Sequence, residues 1–260
     1  TNGDVTSNDN IFSFQATVAM GTSPGTKAIP ISASDAEGRS ASTTISLTVE
    51  APILITPIHD IQGNGTTSPF ASQMVTTRGI VTGLKSNGFF IQTPESEADS
   101  DPSTSQGVFV FTSGAPPFSA AVGNLVTVRA TVVEFVPSAD PFSPPLTELS
   151  MSPVVTLVSS GNPLPAPVTI TSAETNPLGS IEQLERFEGM RVQVGSLTVV
   201  GPTQGSVNEP SATSTSNGVF YGVVSGLGRP FREPGIEIPD PLPPGAPAGI
   251  PRFDANPERL

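Results

Sequence analysis

Residues 86–112 read SNGFFIQTPESEADSDPSTSQGVFVFT. Two short runs of aromatic and β-branched residues, GFFIQT and GVFVFT, stand on either side of a loop built from proline, serine, threonine and acids. Each run is bounded by turn formers, which is the pattern of a strand. The stretch therefore predicts two strands joined by a long excursion instead of a tight hairpin. Similar runs recur around it: QMVTTRGIVTGL before, NLVTVRATVVEF and LTELSMSPVVTLV after, making five main strands within residues 52–160. Gly79 and Gly83 interrupt the first of them, where a curved strand bends or bulges. Five curved strands with one long excursion fit an OB-like barrel, a partly open five-stranded architecture.

The remainder of the 260 residues supports an all-β chain of one large domain or two to three small ones. The 29 prolines and 25 glycines would suit disorder by number alone, but 36% hydrophobic residues in short β-branched runs predict strands joined by turns. Only IEQLERFE, residues 181–188, reads as a helix of more than one turn. Residues 1–51 show strand alternation in FSFQATVAM and AIPISASDAEGRSASTTISLTV. Ile45, Leu47 and Val49 fall on one face, with Thr44, Ser46 and Thr48 on the other and a turn at 35–38 between strands. This order resembles the closing half of an immunoglobulin-like module, and roughly 50 residues are too few for its full sandwich. In residues 161–238 the chain repeats itself. EGMRVQVGSLTVVGP (188–202) and SNGVFYGVV (216–224) echo SQMVTTRGIVTGL (72–84) and SNGFFIQT (86–93), predicting a second, more degenerate barrel-like β-domain. Residues 239–260 read as a proline-rich linker.

Charge and residue supply limit the chemistry. The formal net charge is −12, and eleven basic residues spread over the chain form no stripe for a phosphate backbone. Nucleic acid is expected to bind weakly, if this chain meets it at all. There is no cysteine, so disulfides and thiol nucleophiles are excluded, and no G-x-S-x-G elbow, G-x-G-x-x-G or P-loop occurs. The serine, threonine and proline content and the presence of only two lysines suit a secreted or cell-surface bacterial protein. No apolar run long enough to span a membrane is present, and no signal-peptide pattern opens the sequence, which reads as a mature or cut chain.

Three groups of residues are candidates for a site. In the acidic loop, Glu95, Glu97, Asp99 and Asp101 alternate among hydroxyls, a supply of hard oxygen ligands suited to a structural Ca²⁺. The loop lacks the glycine and closing glutamate of an EF-hand, and the alternative is a solvated acidic loop. On the flanking strands the period of two sends Phe89, Ile91, Val108 and Val110 inward. That leaves Phe90, Phe109 and Phe111 outward as a patch on which bases or sugars could stack, with Arg78 and Arg129 at its flanks. The alternative is that a neighbouring segment covers the patch. His59, the single histidine, sits beside Asp60 in IHDIQG and reads as a turn residue more readily than as a metal ligand, since no further His or Cys completes a shell. Arg229, Arg232 and Glu233 in GRPFREPG read as a structural turn.

Several motifs in order carry a more specific resemblance. IHDIQGNGTTSPF (58–70), VTTRGIVTG (75–83), GFFIQTP (88–94), DSDPSTSQGVFVFT (99–112), VGNLVTVRATVVEF (122–135) and LTEL (146–149) resemble the OB-like domain of predicted bacterial extracellular nucleases. LERFEGMRVQV (184–194), GRPFREPGIEIPDP (228–241) and PRFDANPERL (251–260) resemble the stretch that follows it in those proteins. The resemblance implies an accessory region placed ahead of a metal-dependent catalytic domain of endonuclease/exonuclease/phosphatase type, which would be its partner. Such catalysis needs acidic metal ligands together with His and Asn, and this chain holds one histidine. The expectation is therefore a non-catalytic part of a secreted nuclease. Two other readings stay open: an OB module for single-stranded nucleic acid or polysaccharide, and a cell-surface spacer stiffened by Ca²⁺.

Overall fold

The computed structural model describes residues 17–34, 37–138, 144–201, 205–216, 220–228, 258 and 260. The chain divides into two compact units, Thr1–Leu54 and Ile55–Leu260. Among the described residues strands dominate, and no helix is long and apolar enough to cross a membrane. Asp35 and Ala36, the GRPFREPG turn with Arg229, Arg232 and Glu233, and the proline-rich stretch 239–257 lie outside the described residues.

The first unit shows one antiparallel ribbon, β1 (Gly25–Ser34) with β2 (Ser40–Val49), in unbroken register from Gly25↔Val49 to Ser34↔Ser40. Leu47 and Val49 are half-buried, as are Lys27, Ile29 and Ile31 across from that face, which is the stripe that alternation predicts; Ile45 is exposed.

The second unit begins with a single turn of helix, α1 (Ile58–Gln62), which starts after Pro57 and closes where the Gly63 N–H donates to the His59 carbonyl at 2.8 Å. Ile58, Ile61 and Gln62 share its buried face, the i, i+3, i+4 spacing of a helix. Five strands follow: β3 (Met74–Lys85), β4 (Gly88–Gln92), β5 (Gly107–Phe111), β6 (Leu125–Phe135) and β7 (Leu146–Ser159). They close on themselves in the order β3-β4-β5-β7-β6, with β7 returning to β6 and β6 to β3. All pairings are antiparallel except the β5–β7 seam, which is parallel and consists of Phe109↔Glu148 and Val110↔Leu149. The expected bend in β3 is a register shift between Val81 and Gly83. Inside the ring lie Val75, Val81, Phe89, Ile91, Val108, Val110, Val126, Val128, Val132 and Leu149, joined by Ile58 and Ile61 of α1. Each large side chain so buried contributes about 1.5–3 kcal/mol, and the inward set on β4 and β5 is the one alternation assigns.

Residues 161–228 differ from the expected second barrel. Their described strands form separate two-stranded pieces: β8 (Val168–Ile170) parallel to β9 (Val192–Val194), β10 (Leu197–Gly201) with β13 (Tyr221–Val224), and β11 (Gly205–Asn208) with β12 (Thr213–Ser216). The described strands are three to five residues long. The early part of this region is fastened to the ring. The Asn162 N–H donates to the Gly123 carbonyl at 2.8 Å, Ala166 N–H to Glu95 Oε2 at 3.3 Å, and Arg191 N–H to Gln92 Oε1 at 2.9 Å.

The helix expected over 181–188 is also absent. Turns lead into a short 3-10 segment, Glu185–Phe187, and Glu188 leaves helical geometry at φ −53°, ψ 130°. Eight residues are too few to nucleate a helix without help from packing, and here packing demands the opposite. Residues 188–191 lie flat on β5, in contact so close that a Cβ on Gly107 would stand 2.3 Å from the Gly189 carbonyl carbon. A Cβ on Gly189, itself at φ +68°, would stand 2.7 Å from the Val108 nitrogen. Two positions without side chains thus let one backbone rest upon another. Gly107→Ala is expected to lower unfolding stability by about 1–3 kcal/mol, measured by urea denaturation. Gly114→Ala, which meets nothing within 4 Å, serves as a control and should change stability by less than about 0.5 kcal/mol.

Candidate functional site

The acidic loop does not gather its carboxylates. Glu97 turns to the outside of β3, where its oxygens accept from Arg78 Nε and Nη2 at 3.2 and 3.0 Å. Glu95 accepts from the Ala166 N–H. Asp99 Oδ1 accepts from Gln106 Nε2 at 2.7 Å, and Asp99 Oδ2 stands 3.8 Å from His59 Nε2. Asp101 accepts from the Ser103 hydroxyl and N–H at 2.6 and 2.9 Å, bonds that hold its carboxyl below its ordinary pKa of 3.8. Four alternating acids thus perform four separate fastening tasks, tying the loop to β3, to the returning chain, to α1 and to itself. Among the described residues no group of three or more His, Cys, Asp and Glu side chains stands arranged to hold a metal ion. His59 belongs to α1, with Nε2 3.6 Å from Asp60 and its Nδ1 buried without a hydrogen-bond partner.

Of the three aromatics read as outward, Phe90 and Phe111 are half-buried and Phe109 is closed off. Phe109 is only 3% exposed, which corrects the expectation of an open patch. Its cover comes from the ring itself: Phe90 lies at 4.9 Å between centroids, and Lys85 Nζ sits 5.1 Å from the Phe109 centroid in a cation–π contact. A Cβ on Gly88 would fall 2.4 Å from the Phe109 Cζ, so the glycine of the S-N-G turn makes room for the ring. The arginines stand elsewhere. Arg78 is five residues along β3 from Gly83, the partner of Phe90, a separation of about 16 Å. It shares the outer β3–β6 surface with exposed Arg129, whose Cα partner is Thr76. The aromatics and these two arginines therefore do not form one clamp.

Phe111, half-buried at the end of β5, opens instead on a cleft of about 520 Å³. The opposite wall is the middle of β7. There the ladder to β6 steps from Thr131↔Ser150 to Arg129↔Val154, so Met151, Ser152 and Pro153 face a single residue, Ala130. Met151 and Ser152 take left-handed conformations at φ 59° and 64°, and Ser113 on the facing wall does so at φ 58°. Three of the five described non-glycine residues with positive φ thus line this one cleft. Such backbone costs about 1–3 kcal/mol per residue and gathers at ligand clamps and other functional sites. Of this site the sequence reading named Phe111 and missed the β7 wall, whose sequence signal is Pro153, which interrupts a strand pattern in SMSP and marks a bulge or edge. A second cavity, about 700 Å³, lies under the acidic loop between Ile80, Leu125 and Leu164.

A cluster of three glutamates holds the far side of the ring to the returning chain. Glu188 Oε1 accepts from Gln62 Nε2 at 3.2 Å and from the Thr147 N–H at 3.1 Å, while Gln62 Nε2 also donates to the Gly107 carbonyl at 2.6 Å. Glu134 accepts from the Ser68 N–H at 2.8 Å and from the Thr147 hydroxyl at 3.1 Å. Burial, and then repulsion from Glu185, pushes Glu188 up to about 8. Burial, and then repulsion from Glu134, pushes Glu185 up to about 7.

No family model, curated protein or solved structure matches this chain.

Because Glu185 and Glu188 titrate above their ordinary 4.5 in the folded state, their protonated forms favour folding. That contribution is complete below about pH 4.5 and is lost as pH rises through about 7 and 8. The melting temperature is expected to fall between pH 5.5 and 8.5, measured by circular dichroism, and Glu188→Gln should flatten the slope. With its acids already spent on other contacts, the loop should melt at the same temperature in millimolar Ca²⁺ and in chelator.

Proposed function

We propose that this chain is a non-catalytic accessory region of a secreted bacterial nuclease, in which an OB-like barrel stands ahead of a metal-dependent catalytic domain. The observation that carries the reading is the strand order. Five strands closing as first, second, third, fifth, fourth, with one parallel seam between third and fifth, support the OB-like reading. The motifs that resemble the nuclease-associated domain fall on its successive parts: IHDIQG on α1, VTTRGIVTG on β3, GFFIQ on β4, GVFVF on β5, LVTVRATVVEF on β6 and LTEL on β7.

The settings of the polar groups support an accessory role. The one imidazole is largely covered, with its side chain 18% exposed, and its neighbours are two aspartates of a self-fastened loop. Glu188, whose carboxyl burial pushes up, holds segments together by accepting from the Thr147 N–H and the Gln62 amide of the same chain. A net charge of −12 opposes approach to a polyanion, so binding of substrate and its hydrolysis would belong to the catalytic partner domain.

The purified chain is expected to leave single-stranded DNA, duplex DNA and RNA intact in Mg²⁺, Mn²⁺ or Ca²⁺, read by gel assay. Turnover that persists after contaminating nucleases are removed overturns the proposal. The reading frame past Leu260 is expected to encode an acid- and histidine-rich nuclease domain, and a stop codon there would count decisively against it.

A further inference from the structure

The cleft between the end of β5 and the bulge of β7 has a lining with an unusual donor and acceptor balance. Four hydroxyls stand on its walls: Thr112, Ser113, Ser150 and Ser152. Three have already given away their proton. Thr112 Oγ1 donates to the Gly114 carbonyl at 2.6 Å, Ser113 Oγ donates to the Thr112 carbonyl at 2.6 Å, and the Ser150 hydroxyl donates to Glu148. What these oxygens offer an incoming molecule is lone pairs. No lining side chain is ionisable, and the remaining surface is Phe111, Met151, Pro117 and Pro153 with aliphatic neighbours. Beside it, Phe118 is fully exposed and Met151 is 70% exposed.

A ligand that satisfies this wall must bring donors, carry no charge, and present flat C–H surface to an aromatic ring. A phosphate or carboxylate brings acceptors only and would meet both the lone pairs of the cleft and a chain of net charge −12. A sugar ring has hydroxyl donors around its edge and C–H groups on its faces. The volume, about 520 Å³, lies within the roughly 300–1,000 Å³ of small-ligand sites. Ser113 on one wall and Met151 and Ser152 on the other take left-handed backbone, a conformation that gathers at ligand sites.

We propose that this cleft is a binding site for a neutral saccharide chain, with Phe111 stacking on a sugar face and the hydroxyl oxygens of Thr112, Ser113 and Ser150 accepting from sugar hydroxyls. The site is separate from any nuclease chemistry and does not depend on the accessory reading above. It would give the chain a means of attachment to extracellular glycan.

Affinity electrophoresis in native gels tests it, with the whole chain run through soluble starch, galactomannan, xyloglucan and mixed-linkage β-glucan, and through alginate, heparin and single-stranded DNA. Retardation is expected in at least one neutral gel. Phe111→Ala and Thr112→Val should each weaken it by about tenfold, the loss of one good contact. Thr112→Val keeps the side-chain shape at a half-buried position and forfeits one surface hydrogen bond, so its melting temperature should fall by only a few degrees and its loss of binding reports on the cleft even if Phe111→Ala fails to fold. No retardation in any neutral gel, retardation confined to the anionic gels, or neutral retardation unchanged in Thr112→Val overturns the proposal.

Discussion

The ring closes through a seam of two residue pairs, and the rest of the second unit is arranged around that economy. Strand β7 must lie parallel to β5 at its start and antiparallel to β6 along nearly all its length. The β5 chain turns away at Thr112, and just past the seam Met151 and Ser152 adopt left-handed backbone and insert extra length opposite Ala130. The cleft is the space left where β5 stops and β7 bends. The bulge of β7 and the loop that follows β5 together line that cleft.

The same seam explains how the outer face of β5 is used. Phe109, paired with Glu148 across the seam, is roofed by Phe90 and Lys85. Lys85 also acts electrostatically on Glu148, whose burial raises its pKa while the Ser150 hydrogen bond and the lysine oppose that shift. At the other end of the strand, Gly107 carries the Gly189–Met190 backbone directly. Polar groups there are satisfied from both directions: Gln62 bridges the Gly107 carbonyl and Glu188, and the Ser105 hydroxyl donates to the Glu188 carbonyl at 2.5 Å. A short strand is thus covered on its outside by its own neighbours at one end and by a returning segment at the other. Residues 161–194 follow the ring's surface instead of building a core of their own.

Much of this was legible in the sequence. The five strands, their order along the chain, the bulge near Gly83 and the inward set Phe89, Ile91, Val108 and Val110 follow from alternation and turn residues, which are local. The ribbon of the first unit is legible for the same reason. The helix read from IEQLERFE was not there, because its last residue, Glu188, leaves helical geometry and turns its carboxylate to Gln62 and the Thr147 N–H, contacts remote along the chain. The acidic loop illustrates the limit of reading residue types. Glu95, Glu97, Asp99 and Asp101 are a plausible ligand set by composition, but each accepts from a group distant in the chain or from its own turn, and no spacing rule reveals that Arg78 waits for Glu97.

What the sequence by itself determined is the all-β character and which face of each strand meets the core, because the two-residue period binds every side chain to a side of the sheet. What the tertiary structure alone decided is whether an outward residue is open or covered, which carboxylates share a neighbourhood, and where a cleft forms. Those depend on Gly88 yielding space to Phe109, on Gly107 admitting Gly189, and on the turn that Met151 and Ser152 force upon β7. Each is a meeting of segments remote along the chain, and the free energy of such a meeting is set by the shape and solvent exclusion of both partners together, which neither stretch records alone.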